Sequence, residues 1–412
     1  MKNIFIISDI IDPCLGSEFR IALKALEILY EEKLKFIDEV KLLIPRRNKN
    51  IENLNIWFSE RNIENIIIEE FKFEYADTNG NHNSKFLFIR DLINFYRKAR
   101  KAIPIEPSKK NIIFKCGQVN WVFYLIFLFF FKKSKSEKIV CAPISGFIYI
   151  KLRDCIELPF KTRIYYILYN AFIFVGRFLF RFLYIFKNNY YFLFATYSDC
   201  HIFHKEFKDK IYSEIQLYNT GDFLEKESRN YVTKNKSSSI LWSGHLVHRK
   251  NPLLALRIIS DILKFSKIEK IYFIGNGPLN SDVFDYMEKT NLKTNKRFIY
   301  ISNLSRYEFL KVVKKVDYVL ITSLREVNSI FFLESLFFNK KIFAIKNSGI
   351  MDFDLANVVL LDSSKFRNAK EISEVIIQAI EPEELVDFTS KEYLQSRYYL
   401  EKHNLINLLK SL

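Results

Sequence analysis

The sequence has few glycines, prolines and cysteines for its length. Its 412 residues include ten glycines, nine prolines and five cysteines. The cysteines are Cys14, Cys116, Cys141, Cys155 and Cys200. Their number is odd, they show no Cys-x-x-Cys spacing, and most lie in apolar segments. This pattern argues against a disulfide scaffold and indicates the reduced thiols of a cytosolic protein.

No apolar run is both long enough and continuous enough to cross a bilayer. Trp121–Phe131 is almost wholly apolar, but it is well short of the roughly 20 residues that a spanning helix needs. Phe160–Phe194 is longer, and Lys161, Arg163, Arg177, Arg181 and Lys187 interrupt it. Arg177 and Arg181 would share one helix face. This spacing predicts either a basic amphipathic helix in a membrane interface or a helix packed on the first sheet, with its arginines reaching to water.

Positive charge is in excess. The formal net charge is +16, which favours a polyanionic partner such as nucleic acid, an anionic membrane surface or a phosphate-rich substrate. No zinc-finger or RNP-type motif accompanies the charge, so we expect no nucleic-acid binding. A length of 412 residues predicts two domains. The first apolar run, Ile4–Ile7, is too short for a signal peptide and predicts a buried strand.

Short apolar runs of strand length alternate with segments of helical length. The predicted strands are Ile4–Ser8, Lys41–Pro45, Ile112–Cys116, Ile139–Pro143, Tyr191–Thr196, Ile240–Ser243, Ile271–Ile274, Phe298–Ser302, Tyr318–Thr322, Ile342–Ile345 and Val358–Leu361. This pattern predicts an α/β protein with parallel sheets that are covered on both faces. Asn251-Pro252 and Ser305-x-x-Glu308 predict helix starts. A polar stretch around residues 220–239 predicts the linker between the domains.

Three polar turns follow strands of the second half. Gly244 and Lys250 follow one strand, Gly275-Asn276-Gly277-Pro278 follows the next, and Glu326 and Glu334 follow Tyr318–Thr322. Open α/β sheets bind ligands at the carboxyl ends of their strands. If a helix begins near Val327, Glu326 lies at its mouth, Glu334 lies about two turns inside, and the helix N-terminus suits a phosphate. Two solvated glutamates on an amphipathic helix are the alternative.

These motifs resemble those of the family-4 retaining glycosyltransferases of the GT-B type. The resemblance rests on Gly244…Lys250, Gly275-Asn276-Gly277-Pro278, Glu326-x7-Glu334, Asn347-Ser348-Gly349, the opening loop Asp9–Glu18 and Pro143-Ile144-Ser145-Gly146. It implies an α/β fold of two facing Rossmann-like domains with an active-site cleft between them. Residues 1–220 would form an acceptor-binding domain with aromatic and basic helices. Residues 239–385 would bind the nucleotide-sugar, and the helix 389–412 would return to the first domain.

The resemblance also implies a role for individual residues. Lys250 and Glu326 would be catalytic, with Lys250 on the donor diphosphate and Glu326 on the transferred sugar. Glu334 would hold the ribose hydroxyls. The other donor-binding residues would be Gly16, Ser17, Gly244, His245, Gly277, Asn328 and Ser329. The family's usual arginine after Gly244 is His245 here, and Val327-Asn328-Ser329 replaces its common glycines.

The implied activity is a metal-independent transfer with retention, from a nucleotide-sugar donor to a glycan or lipid-linked acceptor. No cofactor or metal is expected. The expected setting is bacterial surface polysaccharide biosynthesis, with a cytoplasmic protein peripheral on the inner face of the cell membrane.

Four alternatives remain. A catalytically inactive GT-B-like binding subunit would fit His245 and the lost glycines, and a sugar-nucleotide epimerase shares the fold type. Asp352-Phe353-Asp354 matches the metal-binding motif of the other common transferase fold. His201 and His204 have helical spacing but no third ligand nearby, which favours ordinary histidines over zinc.

Overall fold

The chain forms two compact units. The computed structural model describes residues 2–9, 21–31, 37–46, 50–74, 84–104, 110–117, 120–131, 134, 136–151, 155, 158–186, 190–204, 211–212, 238–327, 329–347, 349–351, 353, 355–380 and 390–412. The first unit comprises Met1–Ile148, Ile173–Asn219 and Tyr398–Leu412. The second comprises Tyr149–Phe172 and Thr220–Arg397. The predicted boundaries of the first domain, 1–220, therefore need correction, because residues 149–172 group with the second unit.

Parallel strands and helices build both units. The strands are β1 Lys2–Ser8, β2 Ile37–Arg46, β3 Ile66–Lys72, β4 Lys110–Cys116, β5 Lys138–Ile144, β6 Tyr190–Phe194, β7 Ile211–Tyr212, β8 Ser239–Ser243, β9 Lys270–Ile274, β10 Phe298–Ile301, β11 Tyr318–Ile321, β12 Lys341–Ile345 and β13 Val358–Leu361. The α-helices of the described residues are Ile21–Glu31, Asn50–Glu60, Lys85–Ala102, Trp121–Phe130, Phe160–Phe186, Tyr197–His204, Pro252–Phe265, Asn280–Lys289, Arg306–Lys315, Ile330–Phe337, Ala369–Ile380 and Ser390–Ser411.

The two sheets share one strand order. Within the described residues, the first sheet runs β3-β2-β1-β4-β5-β6-β7 and the second runs β10-β9-β8-β11-β12-β13, with every pair parallel. Their central strands are apolar and buried, as in β1, where Ile4–Ile7 are at most 1% exposed. Strand order reverses between β1 and β4 and again between β8 and β11. These are the switch points at which doubly wound sheets bind ligands.

Each of the eleven predicted strands is present, and two strands were missed. The missed β3 pairs with β2 and carries Glu69, Glu70 and Lys72 among its apolar residues. Charged side chains are usual on such an edge strand, so β3 lacks the continuous apolar run that identified the others. The missed β7 has only two residues.

The predicted helix starts met different outcomes. Ser305 and Glu308 form the predicted capping box. Asn251 is not a side-chain cap: its backbone is left-handed at φ 50°, its side chain makes no capping hydrogen bond, and Pro252 opens the helix.

The C-terminal segment packs with the first unit. Lys2 Nζ donates to the carbonyl of Leu409 at 3.1 Å, and Tyr398–Leu412 groups with the first unit.

The two aromatic segments form helices of 10 and 27 residues, Trp121–Phe130 and Phe160–Phe186. Among the described residues, no helix is long and apolar enough to span a membrane. In the helix Phe160–Phe186, the side chains of Arg177 and Arg181 contact the protein, and both residues stay partly exposed. Arg177 Nε donates to the carbonyl oxygen of Phe147 at 2.8 Å, and the guanidinium of Arg181 lies 5.8 Å from the ring centroid of Phe203. These contacts favour the second alternative, a packed helix, in which both arginines lie against neighbouring chain and remain partly exposed.

Candidate functional site

An open pocket of about 540 Å³ lies at the carboxyl ends of β8, β9 and β10. Its lining residues are Ser243, Gly244, His245, Ile274, Gly275, Asn276, Gly277, Ser302, Asn303, Leu304 and Phe309. Backbone hydrogen bonds fix the turn after β8 to the turn after β9: Gly244 N donates to Ile274 O at 3.1 Å, and Leu246 N donates to Asn276 O at 3.0 Å. These hydrogen bonds hold in place the backbone that lines two sides of the pocket.

Two glycines allow these turns to approach so closely. A Cβ on Gly275 would lie 2.1 Å from the carbonyl oxygen of Gly244, and one on Gly277 would lie 2.8 Å from Leu246 N and O. Any side chain at either position would separate the turns. Gly244 differs, since a Cβ there would make contacts no shorter than 3.4 Å, to the Trp242 ring. The absence of a side chain at Gly244 therefore leaves open space in the pocket and is not required for close packing of the turns.

Beside the pocket, a buried carboxylate is surrounded by cations. Lys250 Nζ donates to Glu326 Oε1, and Arg249 Nη1 lies 3.6 Å from Glu326 Oε2. The side chain of Glu326 is 5% exposed and that of Lys250 is 19% exposed. The Lys250 stem would lie 3.5 Å from a Cβ on Gly244, so the lysine runs along the pocket wall. Two cations around one carboxylate leave a net positive charge, which suits a diphosphate.

Hydrogen bonds between the loops after β8 and β11 hold this cluster together. The Thr322 hydroxyl donates to the carbonyl of Lys250 at 2.9 Å and accepts from Trp242 Nε1 at 2.9 Å. Leu324 N donates to the carbonyl of Arg249 at 2.9 Å. Arg249 Nη1 in turn donates to the carbonyl of Arg325 at 3.2 Å. Lys250 and Glu326 thus come from different strands of the switch point and meet through paired loop backbones.

The helix that carries Glu334 begins later than predicted. It spans Ile330–Phe337, and Ser329 caps it by accepting from Phe332 N at 3.3 Å. Glu326 therefore lies in the loop before the helix rather than at its mouth, and Glu334 is only about one turn inside. The correction follows from capping chemistry, since a serine hydroxyl satisfies a helix N–H and the valine at 327 does not.

Gly349 packs directly against the backbone of the loop that carries Glu326. A Cβ at this position would lie 2.5 Å from the carbonyl oxygens of both Glu326 and Val327. Asn347 Nδ2 donates to the carbonyl of Ser323 at 3.0 Å, which fixes the loop after β12 to the loop after β11. Asn347 and Gly349 therefore have a packing role in setting the position of Glu326.

Glu334 is almost fully buried and holds an arginine. Its residue exposure is 1%, and Arg306 Nη2 donates to its Oε1. Burial raises the pKa of Glu334 to about 7, while the Arg306 guanidinium opposes that rise. Among the described residues, Oε2 of Glu334 has no hydrogen-bond partner. A buried acceptor with unused capacity is suited to donors from a ligand.

Sequence reasoning missed two charged residues of the site, Arg249 and Arg306. Arg249 was passed over for its neighbour Lys250, although the two share a turn. Arg306 is the first residue of the helix that follows β10. The predicted capping box already placed that helix start at the carboxyl edge of the sheet, so its first side chain was a candidate.

The structure brings most of the predicted residues of the second half into this region. Gly244, His245 and Gly277 line the pocket, Lys250 and Glu326 lie beside it, and Ser329 and Glu334 lie on one short helix. Gly16, Ser17, Asn328, Asp352 and Asp354 lie outside the described residues. Across the described part of the chain, no group of three or more His, Cys, Asp or Glu residues is arranged to hold a metal ion.

The first sheet also carries a charged pair at its switch point. Asp9 follows β1, and Lys115 lies in the neighbouring β4. Lys115 Nζ is 2.9 Å from Asp9 Oδ1, and both side chains are 0% exposed. The Tyr96 hydroxyl donates to Asp9 Oδ2 at 3.4 Å, and the Tyr124 ring centroid lies 5.1 Å from the ammonium group. This pair is sealed inside the first unit.

Comparisons with known proteins agree with this architecture. Residues 224–393 match the family model described as glycosyl transferases group 1. No curated protein sequence matches the chain.

Similar solved structures span nearly the whole chain at low identity. The lipopolysaccharide outer core galactosyltransferase WaaB in its apo form is 15% identical with a TM-score of 0.57, and the match covers 99% of each chain. A structure from E. coli described as trehalose-6-phosphate bound with UDP-2-fluoro glucose is 12% identical with a TM-score of 0.61, covering 100% of this chain and 99% of that one. Anabaena HepE in complex with UDP and glucose is 13% identical with a TM-score of 0.57, covering 100% of both.

The family match and the shared fold are consistent with each other. At these identities the solved structures establish the fold alone, and they confirm the predicted GT-B class of two Rossmann-like domains. The family match over residues 224–393 covers the unit that holds the pocket, Lys250 and Glu326. Together these findings support a GT-B glycosyltransferase.

Proposed function

We propose that the chain is a family-4 retaining glycosyltransferase. It would transfer a sugar from a nucleotide-sugar donor to a glycan or lipid-linked acceptor in bacterial surface polysaccharide assembly. The observation that carries the proposal is the cation-bound Glu326 at the switch point of the second sheet, beside a pocket between three strand ends. The pocket would hold the nucleoside, the cations would bind the diphosphate, and the carboxylate would contact the sugar. The site therefore has a part for each component of a nucleotide-sugar.

Lys250 and Arg249 would receive the diphosphate. Breaking a glycosyl–phosphate bond develops negative charge on the leaving phosphate, and fixed positive groups lower the energy of that state. Lys250 lies against the pocket wall at Gly244, and Arg249 lies on the other oxygen of Glu326. Arg249 would supply the permanent charge that His245 does not. These side-chain charges are our reason for proposing a transfer without a metal.

Glu334 would anchor the ribose. Its Oε2 is buried without a hydrogen-bond partner among the described residues, and two adjacent ribose hydroxyls would satisfy it. Arg306 on Oε1 would hold the carboxylate in place and favour its ionised form. The N-terminus of the helix capped by Ser329 would add backbone N–H groups for the phosphate.

Glu326 would position the transferred sugar rather than attack it. Lys250 and Arg249 approach its two oxygens, which leaves the carboxylate poorly placed as a nucleophile. In a retaining transfer without a covalent intermediate, the departing phosphate oxygen takes the proton of the acceptor hydroxyl on the same face of the sugar. The new glycosidic bond forms as the glycosyl–phosphate bond breaks. The contribution of Glu326 would be orientation and stabilisation of positive charge on the sugar.

The charge of the protein bears on its acceptor and its cellular setting. The net charge of +16 favours an anionic surface or an anionic acceptor. One similar structure is described as a lipopolysaccharide outer core galactosyltransferase. We therefore propose a peripheral location at the inner face of a bacterial membrane, where lipid-linked acceptors are held.

Calorimetry with UDP, GDP and ADP tests the donor site first. One of the three is expected to bind, and binding should fall by about tenfold in Arg249→Gln because a charge-assisted hydrogen bond is lost. Lys270→Gln, which removes an exposed positive charge at the start of β9 and so at the opposite end of that strand from the pocket, is the matched control and should bind nearly as well as the unchanged protein. No binding by any of the three would overturn the proposed donor site.

Product analysis with the matching nucleotide-sugar tests the chemistry. The unchanged protein is expected to form an anomer of the same configuration as the donor, without added metal and in the presence of a chelator. Glu326→Gln should reduce turnover by about a hundredfold or more while nucleotide binding persists. An inverted product would exclude retention, and loss of activity with chelator would exclude metal independence. Nucleotide binding without any transfer would favour an inactive binding subunit.

A further inference from the structure

The helix Phe160–Phe186 shows the reverse of the usual polarity for a surface helix. Its inward positions include polar groups: Asn170 Oδ1 accepts from Ile150 N at 3.0 Å, and Arg177 Nε donates to Phe147 O. Gly176 faces the Trp121 ring, which a Cβ would approach to 2.4 Å. A surface helix normally directs such polar groups to water. Here they satisfy backbone groups inside the protein.

The outward positions of the same helix are apolar. The exposed side chains between 164 and 182 are Ile164, Tyr165, Ile167, Leu168, Ala171, Phe172, Phe174, Val175, Phe178 and Phe182. Phe174 is 66% exposed and Phe178 is 64% exposed. None of the ten is charged, and they extend over about 27 Å of helix. We call these ten residues the apolar face. A continuous face of this kind marks a contact surface.

Charge around the apolar face identifies its partner. From Phe160 to Ser198 the sequence has no acidic residue, whereas five basic residues lie in the same stretch. The exposed Lys161 and Arg163 lie at the start of the helix, next to the apolar face. A second copy of the chain would bring a surface of the same sign against them, on a protein whose net charge is already +16. An anionic bilayer instead offers acyl chains to the aromatic rings and phosphates to the basic groups.

We propose that the apolar face inserts into the boundary between headgroups and acyl chains of an anionic membrane. The helix lies along the surface and does not cross it, in keeping with the absence of any spanning helix among the described residues. The phenylalanines contribute most of the affinity, and the basic groups add a salt-sensitive part. This binding does not depend on the proposed transfer activity, and it brings the protein to the surface where a lipid-linked acceptor is found.

Vesicle co-sedimentation of the full chain tests the proposal. Vesicles of phosphatidylcholine with phosphatidylglycerol should bind the protein, and vesicles of phosphatidylcholine alone should bind it more weakly. Phe174→Gln combined with Phe178→Gln should reduce binding by about tenfold or more, because the membrane contact loses two aromatic side chains that insert among the acyl chains. Both positions are exposed and glutamine is a good helix former, so the fold should be preserved.

Phe265 provides the matched control. Like Phe178, it is a helical phenylalanine that is 64% exposed, but it lies on a different helix, Pro252–Phe265, and is not part of the apolar face. Phe265→Gln should bind vesicles as the unchanged protein does. Equal losses in the control and in the double variant would overturn the proposal, because they would show a general effect of surface aromatics.

Fluorescence gives an independent reading of insertion depth. A tryptophan placed by Phe178→Trp should shift to shorter wavelength with anionic vesicles and be quenched by brominated acyl chains, whereas Phe265→Trp should show neither effect. Absence of both effects would overturn insertion. If the unchanged protein is a dimer without vesicles and the double glutamine variant is a monomer, the apolar face is an interface between copies instead. Failure of nucleotide binding would leave these results unaffected, so the two proposals fail separately.

Discussion

Each unit carries an acid–lysine pair at its switch point, and the two pairs differ in what surrounds them. In the first unit, Asp9 and Lys115 are 0% exposed and 2.9 Å apart. In the second, the side chains of Glu326 and Lys250 are 5% and 19% exposed, and the lysine runs along the wall of a pocket. Topology placed a charged pair at the same point of two sheets with one strand order. Among the described residues, the second pair has space next to it for a substrate, whereas the first pair is fully buried.

The difference lies in the side chains that cover each pair. Tyr96 and Tyr124 close over Lys115, whose Nζ also donates to the carbonyl of Cys116 at 2.8 Å. Burial, with the neighbouring Asp9, raises the pKa of Tyr96 well above its usual value, so its hydroxyl remains a donor to the aspartate. At the second switch point, the residue that faces the lysine stem is Gly244, which has no side chain to close the space. The first pair is therefore enclosed by protein, and we propose that it is structural and that the second pair takes part in the chemistry.

The largest expected effect concerns the stability of the first pair. Asp9→Asn leaves the Lys115 ammonium buried without its counter-ion, and such a change costs about 3–5 kcal/mol. Denaturant unfolding, followed by hydrogen exchange of peptides from each unit, should show the loss in the first unit. The double variant Asp9→Asn with Lys115→Met should recover most of it. Wild-type stability in Asp9→Asn would mean that the first pair is not structural.

Removing the lysine of the second pair should reduce activity strongly and stability little, the reverse of the result expected for the first pair. Lys250→Met is expected to lower kcat/KM by about 10²–10³, equivalent to about 2.7–4 kcal/mol, because the charge opposite the leaving phosphate is removed. Stability should change little, since Arg249 still approaches Glu326. Steady-state kinetics and unfolding of the same preparation separate the two effects. A stability loss as large as that of Asp9→Asn would remove the distinction between the pairs.

A glycine beside each acid gives a smaller and closely matched test. A Cβ on Gly117, at φ +127°, would lie 2.1 Å from Asp9 Oδ1, and one on Gly349 would lie 2.5 Å from the carbonyl oxygen of Glu326. Gly117→Ala and Gly349→Ala should each cost about 1–3 kcal/mol through forced shifts. Only Gly349→Ala should also lower turnover, because it displaces the Glu326 loop. Equal turnover in the two variants would contradict the assigned roles, and thermal unfolding with kinetics provides the measurement.

The sequence predicted the sheets better than it predicted the site. Strands such as β8 and β11 are continuous apolar runs because both faces are buried, and that pattern is visible without a structure. The half-exposed β3 has no such pattern and was missed. Strand order was not predicted either, because it depends on contacts between residues far apart in the chain.

Side-chain partners were the least predictable feature. The motifs identified Lys250, Glu326 and Glu334, but the ion pair between Lys250 and Glu326 joins residues 76 apart. The pairing of Arg306 with Glu334 also depends on how two helices pack, which no local pattern records. The apolar face shows the same limit. Sequence spacing showed that Arg177 and Arg181 share a helix side, but not that this side faces the protein.

The smallest expected effect uses the titration of Glu334. Burial raises the pKa of this carboxyl to about 7, so the folded protein binds its proton more tightly than the unfolded chain does. Its contribution to stability is therefore complete below the ordinary pKa and is lost as pH rises through about 7. Nucleotide binding should change in the opposite direction, because ribose hydroxyls donate more strongly to the ionised carboxylate. The affinity ratio between a nucleoside diphosphate and its dideoxy analogue should rise several-fold, about 1 kcal/mol, from about pH 6 to about pH 8. Calorimetry at both pH values measures this ratio, in which the titration of the phosphates cancels. Glu334→Gln should give a flat ratio, and a pH-dependent ratio in that variant would assign the ribose contact to another residue.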